Sequence, residues 1–153
     1  MTDFTNGYFK MMQDIGEGFE RIRAQRKAEK EELIKNEDWD ALEKWYERDK
    51  SFPAPFSQGY IKAYRAWMES TEYNSDVFEV RDLPWEKDAH DFIICLKEAR
   101  VSEFAITDRS TALMDLLHAF EKEGCCMKGL CEVKHIDERW GEKETRNGIL
   151  MSL

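Results

Sequence analysis

Two stretches in the second half of the chain repeat one plan, and that repeat constrains the fold more than any other feature. "VFEVRDLPW" (77–85) and "EFAITDRST" (103–111) each carry apolar and β-branched residues into an aspartate, then into a helical pattern. Val80 and Ile106 stand 26 residues apart (106 − 80), and Asp82 and Asp108 follow them at the same interval of two. Strand–helix–strand units of this length form right-handed parallel crossovers. The pattern predicts a strand over 77–81, a helix opened by Pro84 and running to about 100, a strand over 103–107, and a helix from about 110 to 123 closed by Gly124. Two further strands, about 127–136 and 146–153, are joined by the polar turn "DERWGEKE" and form an antiparallel hairpin. The expectation for 76–153 is a β-α-β-α-β-β unit with a small mixed four-stranded sheet.

Residues 1–75 have a different character, with helix formers and aromatics and few β-branched residues. A first helix over about 5–34 carries one apolar stripe of Phe9, Met12, Ile15, Phe19 and Ile22, which then dissolves into "RAQRKAEKEE". That second stretch reads as a solvated helix supported by charge pairs three and four residues apart. A second helix starts at an Asn36 or Asp38 cap and aligns Trp39, Leu42, Trp45 and Tyr46. The two prolines of "SFPAPFSQG" interrupt it. A third helix, "GYIKAYRAWMES", aligns Tyr60, Tyr64, Trp67 and Met68. These aromatics read as an internal packing surface. The alternative is an exposed partner surface formed by Trp45, Tyr60, Tyr64 and Trp67. The chain is therefore α+β, with a helical N-terminal region over 1–75 and an α/β-type unit over 76–153, together expected to form one compact domain.

Composition narrows the function. With 23 basic and 32 acidic residues the formal net charge is −9, which repels phosphate backbones and argues against direct nucleic-acid binding. The acidity serves solubility, and it would also suit a basic partner or mimicry of nucleic acid. The N-terminus lacks the basic start and apolar run of a secretory signal. No run approaches the ~18 uninterrupted apolar residues of a membrane span. The four cysteines lack the even spacing of a disulfide scaffold. These features predict a cytoplasmic protein with reduced thiols, no membrane association, and either a protein partner or self-association into a homo-oligomer.

Candidate chemistry is sparse. Ligands in open sheets gather at the carboxyl ends of parallel strands, where Asp82, Asp108 and Arg109 stand as candidate ligand-binding residues. The structural reading is that the aspartates cap the helices that follow. No glycine-rich loop there could cradle a phosphate. His90 and His118 fall opposite the apolar faces of their helices and should face solvent. Asp115 and His118 are spaced to share a metal but lack a matching pair. No catalytic set, metal site or cofactor is predicted. In "GCCMKGLCEV" (124–133), a regular extension would put Cys125, Met127, Gly129, Cys131 and Val133 on one core face. Cys126 would then point outward as the candidate reactive thiol.

The stretch "FAITDRSTALMDLLHAFEKEGC" (104–125) and the residues after it resemble a group of small uncharacterised proteins carried by bacterial mobile elements. The resemblance covers about the last third of the chain, and its motif is structural, with no chemistry attached. It implies an accessory or host-interaction role and assigns no site. The leading reading is a non-enzymatic interaction protein of unknown function with an acidic surface. The alternative is a small ligand-binding domain or enzyme using carboxylates at the strand ends.

Overall fold

The computed structural model describes residues 6–50, 54–137 and 142–153. The fold is α+β, with helices first and then a mixed four-stranded sheet. The chain forms two compact units: one spans Met11–Pro55, and the other comprises Phe56–Leu153 with the start of the chain up to Lys10. Residues 1–75 thus contribute to both units.

In the smaller unit, the body of α1 (Asn6–Lys35) and α2 (Trp39–Lys50) are held by Arg26–Asp49 at 2.7 Å and Glu29–Arg48 at 3.3 Å. Asp38 caps α2, its Oδ1 accepting the Ala41 N–H at 3.2 Å, as the sequence indicates. Trp45 lies under the Arg26 guanidinium and the Lys30 ammonium, 5.3 and 5.5 Å from its ring centroid. The predicted apolar faces are only partly buried. Ile15, Ile22, Trp39 and Tyr46 are exposed, because two packed helices bury only the narrow seam between them.

The larger unit is built on the sheet order β1-β2-β4-β3, from β1 (Glu79–Val80), β2 (Glu103–Ile106), β3 (Cys126–Asp137) and β4 (Glu142–Ser152). β1 and β2 are parallel, and β4 is antiparallel to both β2 and β3. The hairpin therefore inserts its second strand between β2 and β3. β3 still runs parallel to β2, so both crossovers keep the predicted direction.

β1 is shorter than the predicted 77–81 because the chain leaves the sheet after Val80. The crossover helices also start later than predicted. A 3₁₀ turn at Glu86–Asp88 precedes α4 (Ala89–Glu98), and α5 (Leu113–Lys122) follows an Asp108 turn. Gly124, at φ 89°, ends α5 with the Cys125 N–H returning to the Phe120 carbonyl at 3.0 Å.

Alternation divides the sheet's two faces. Val80, Phe104 and Ile106 share the helix-covered face with Ile149 and Met151. Phe104 meets Phe92 of α4 and Phe120 of α5 at 6.2 and 5.9 Å, and all three rings are fully buried. Each such ring contributes roughly 1.5–3 kcal/mol through removal from water. Phe9, at the start of α1, stacks on Trp67 of α3 (Gln58–Glu72) at 5.4 Å and on Phe78 at 6.0 Å. α3 can approach α4 because residue 59 has no side chain. A Cβ there would stand 2.6 Å from the Asp88 carbonyl and 2.7 Å from the Phe92 nitrogen.

α3 also closes the outer edge of β1. The ladder to β2 uses the carbonyls of Phe78 and Val80, so the N–H and C=O of Glu79 point away from it. The buried Ser70 hydroxyl takes both. It accepts the Glu79 N–H at 2.9 Å and donates to the Glu79 carbonyl at 3.1 Å.

The predicted common face for the cysteine strand is not formed. The register slips between Met127 and Gly129, where Gly129 adopts φ 137°, a conformation other residues rarely hold. The slip moves Met127 to the face of Met151, while Cys131, Val133 and His135 lie on the other.

Candidate functional site at the strand ends

β1 and β2 stop at Val80 and Ile106, but β4 runs on from its last partner there, Ile149, back to Glu142. The difference in length leaves a notch at the carboxyl ends of the parallel strands. A cavity of about 470 Å³ occupies it, lined by Arg81, Thr107, Asp108, Arg109 and residues 144–147.

Behind the notch lies a buried polar network on the sheet face opposite α4 and α5. Glu79 is 1% exposed. Thr107 donates its hydroxyl to Oε1 at 2.7 Å, Arg81 Nε pairs with Oε2 at 3.2 Å, and the Ser75 hydroxyl donates to Oε2 at 3.4 Å. Burying a carboxylate costs several kcal/mol, and three donors of this kind are what offset it. Arg81 is itself clamped. Its guanidinium lies 4.1 Å from the Tyr73 ring centroid, and one Nη donates to His135 Nε2 at 3.0 Å. Tyr73 is brought over this face by the segment that leads into β1. That segment is pinned to β3 by Asp76 N–H to the Lys134 carbonyl and Lys134 N–H to Asp76 Oδ1, each 3.0 Å.

Because Arg81 donates to Nε2, the neutral His135 ring carries its proton on Nδ1, which is buried with no partner among the described residues. An orphaned buried donor costs about 1–3 kcal/mol. The fold accepts that cost where it holds Arg81 in place.

The three strand-end candidates separate. Asp82 lies outside the cavity and pairs with Lys62 and, at 3.9 Å, Arg65, both on α3. Asp108 is on the cavity wall, but its two oxygens accept the Leu83 N–H at 3.0 Å and the Ser110 N–H at 2.7 Å. It acts as a turn cap. Arg109 is exposed, lines the cavity, and has no partner among the described residues. Arg146 of β4 completes a group of three guanidinium groups around one cavity, its Nε 3.1 Å from Glu144. The strand ends thus set three guanidinium groups beside the carboxylates of Asp108 and Glu144.

A second cavity of about 660 Å³ adjoins the first. Ile106, Leu113, Leu130 and Ile149 give it apolar walls, and it shares Thr107, Asp108, Arg109 and Asn147 with the notch.

The aromatic candidates are mostly interior. Trp45 and Trp67 are 6% and 5% exposed, so neither indole is left to meet a partner. Tyr60 and Tyr8 both donate their hydroxyls to Glu98. Burial and the nearby Glu98 raise both phenol pKa values. Tyr64 is half-buried, its ring 5.8 Å from Trp67.

Among the thiols, Cys126 is exposed, Cys131 half-buried, and Cys95 and Cys125 buried. Burial pushes the Cys95 thiol up to about 12 and raises Cys125 and Cys131. His90 and His118 are exposed, as expected, with His90 Nδ1 2.7 Å from Glu123. Among the described residues no group of three or more His, Cys, Asp or Glu is placed to hold a metal ion. No helix among them is long and apolar enough to cross a membrane.

Glu79, Arg81, His135 and Arg146 were not singled out from the sequence. A signal for the first pair was present, since a strand "VFEVR" alternates and puts Glu79 and Arg81 on one face. No local pattern announces His135 or Arg146, whose roles depend on the hairpin's place in the sheet.

Residues 62–153 match the family described as Domain of unknown function (DUF7698). The match is wider than the last third of the chain and takes in most of α3. No curated protein and no solved structure matches the chain.

Proposed function

The chain belongs to the DUF7698 family, and on the geometry of its sheet we propose that it is a non-enzymatic accessory protein that works by binding a protein partner along β3. Carriage on bacterial mobile DNA and a cytoplasmic site of action complete this reading. They are supported by the resemblance of residues 104–125 to mobile-element proteins and by the reduced-thiol composition.

The observation that carries the proposal is the outer edge of β3. Lys134 N–H and C=O point outward to Asp76, so by alternation those of Glu132 and Leu130 point outward as well. No described residue pairs with them. The Leu130 side chain is 89% exposed and Met127 58%, an unusual display of apolar surface on an unpaired edge.

An extended segment of a partner would add a strand here, with backbone hydrogen bonds supplying affinity and the apolar side chains supplying register. Lys128, Glu132 and the slip at Gly129 restrict which strands fit. Residues 76–153 carry 17 acidic and 11 basic groups, a balance of −6 that favours a partner segment with basic flanks.

The test compares wild type with Leu130→Asp and Glu132→Pro. Both positions are exposed, and the proline removes an outward N–H without touching the β4 ladder. A partner recovered on wild-type protein and reconstituted in pure form should bind each variant at least about tenfold more weakly. Equal binding to all three proteins would overturn the proposal.

A further inference from the structure

We infer that the notch and its apolar neighbour together form a binding site for a small amphiphilic oxyanion, with a carboxylate or phosphate head among the arginines and an apolar body in the adjoining cavity. Three points carry this.

First, cations outnumber carboxylates on the notch wall, with Arg81, Arg109 and Arg146 set against Asp108 and Glu144. Asp108 accepts two backbone N–H groups, and Glu144 is paired with Arg146. The Arg109 guanidinium, the Asn147 amide and the Thr145 hydroxyl have no partner among the described residues. A ligand with acceptor oxygens can take the N–H groups of Arg109 and the amide and hydroxyl hydrogens of Asn147 and Thr145.

Second, Arg81 is immobilised before any ligand arrives. Glu79, His135 and the Tyr73 ring hold its guanidinium in one orientation. A pre-placed guanidinium loses little side-chain entropy on binding and presents its remaining N–H groups in fixed geometry. The buried carboxylate behind it stabilises the guanidinium without reaching the cavity, since Glu79 is not among the lining residues.

Third, the two cavities share four wall residues: Thr107, Asp108, Arg109 and Asn147. Polar and apolar spaces that meet at one wall fit a ligand with two chemically distinct ends. Gly148, at that junction, is needed where it stands, because a Cβ would come within 2.9 Å of the Ile106 carbonyl. Leu130 rims the apolar cavity and also belongs to the β3 strip, but Arg109 lies off that edge, so its substitution separates the two proposals.

The experiment titrates the full chain with phenyl phosphate, octanoate, inorganic phosphate and acetate, by calorimetry and by chemical-shift mapping. Phenyl phosphate or octanoate should bind and shift Ile106, Leu113 and Arg109 resonances. The headgroup-only probes should bind at least about tenfold more weakly, for want of the apolar body. Arg109→Gln, at an exposed position that leaves the fold intact, should weaken the amphiphile at least about tenfold. Arg146→Gln should do the same. The inference fails if no probe binds. It also fails if inorganic phosphate binds as tightly as phenyl phosphate, or if Arg109→Gln leaves the affinity unchanged.

Discussion

Replacing Ser70 by alanine tests whether one hydroxyl seals a sheet edge. Ser70 accepts the Glu79 N–H at 2.9 Å and donates to its carbonyl at 3.1 Å, in a place sealed from water. Removing the oxygen leaves two buried backbone groups unpaired, at about 1–3 kcal/mol each. Alanine's better helix propensity returns about 0.5 kcal/mol. The net loss should be about 1.5–5.5 kcal/mol. At a slope of about 2 kcal/mol per molar urea, the unfolding midpoint should fall by about 1–3 M without a change in slope.

The measurement is urea unfolding followed by far-UV dichroism, together with hydrogen exchange at Glu79, whose amide should lose protection selectively. Ser70→Thr keeps the hydroxyl and should retain most of the stability. A midpoint for Ser70→Ala within about 0.3 M of wild type, or undiminished protection at Glu79, would refute the reasoning.

Three other outcomes follow from the geometry. Gly59→Ala should destabilise by about 1–3 kcal/mol in spite of a helix-propensity gain near 1 kcal/mol, because the new Cβ meets α4 backbone at 2.6–2.7 Å; thermal unfolding reads the sign. At pH 8, a thiol reagent should modify Cys126 first, Cys131 next, and Cys95 and Cys125 only on unfolding, as peptide mapping would show. The Cys95 thiol is raised from 9.0 to about 12 by burial, so the unfolded chain ionises first. That contribution to stability is whole below about pH 9 and is lost as the pH climbs toward 12. Cys95→Ala should therefore flatten the alkaline limb of the stability profile, and an unchanged limb would remove Cys95 as its cause.

Local signals in the sequence located what local physics controls. The Asp38 cap, the Gly124 helix end, the parallel pair of strands and the outward His90 and His118 are all set by residues a few positions apart, and all stand where the pattern put them. The strand-end region was also legible as a place, and the cavity is there. Its chemistry was not, because Arg81 and Arg146 meet only after the hairpin inserts β4 between β2 and β3.

Periodicity likewise marked Ile15, Ile22 and Trp39 as a helix face but could not say whether a second layer would cover it. The cysteine strand failed for a more local reason. One extra residue before Gly129 flips every later side chain to the other face, and alternation read through it goes wrong from that point. Ser70's role has no sequence signature at all, since a serine late in a helix is ordinary until a strand end arrives beside it.

The sealed edge of β1 sets a limit on self-assembly. A sheet with two free edges can add copies indefinitely and grow into a fibre. Here α3 terminates one side, and Ser70 occupies the groups that a neighbouring strand would need. That side of the sheet offers a second copy no strand to pair with, whereas the open stretch of β3 lets a copy pair about a two-fold axis.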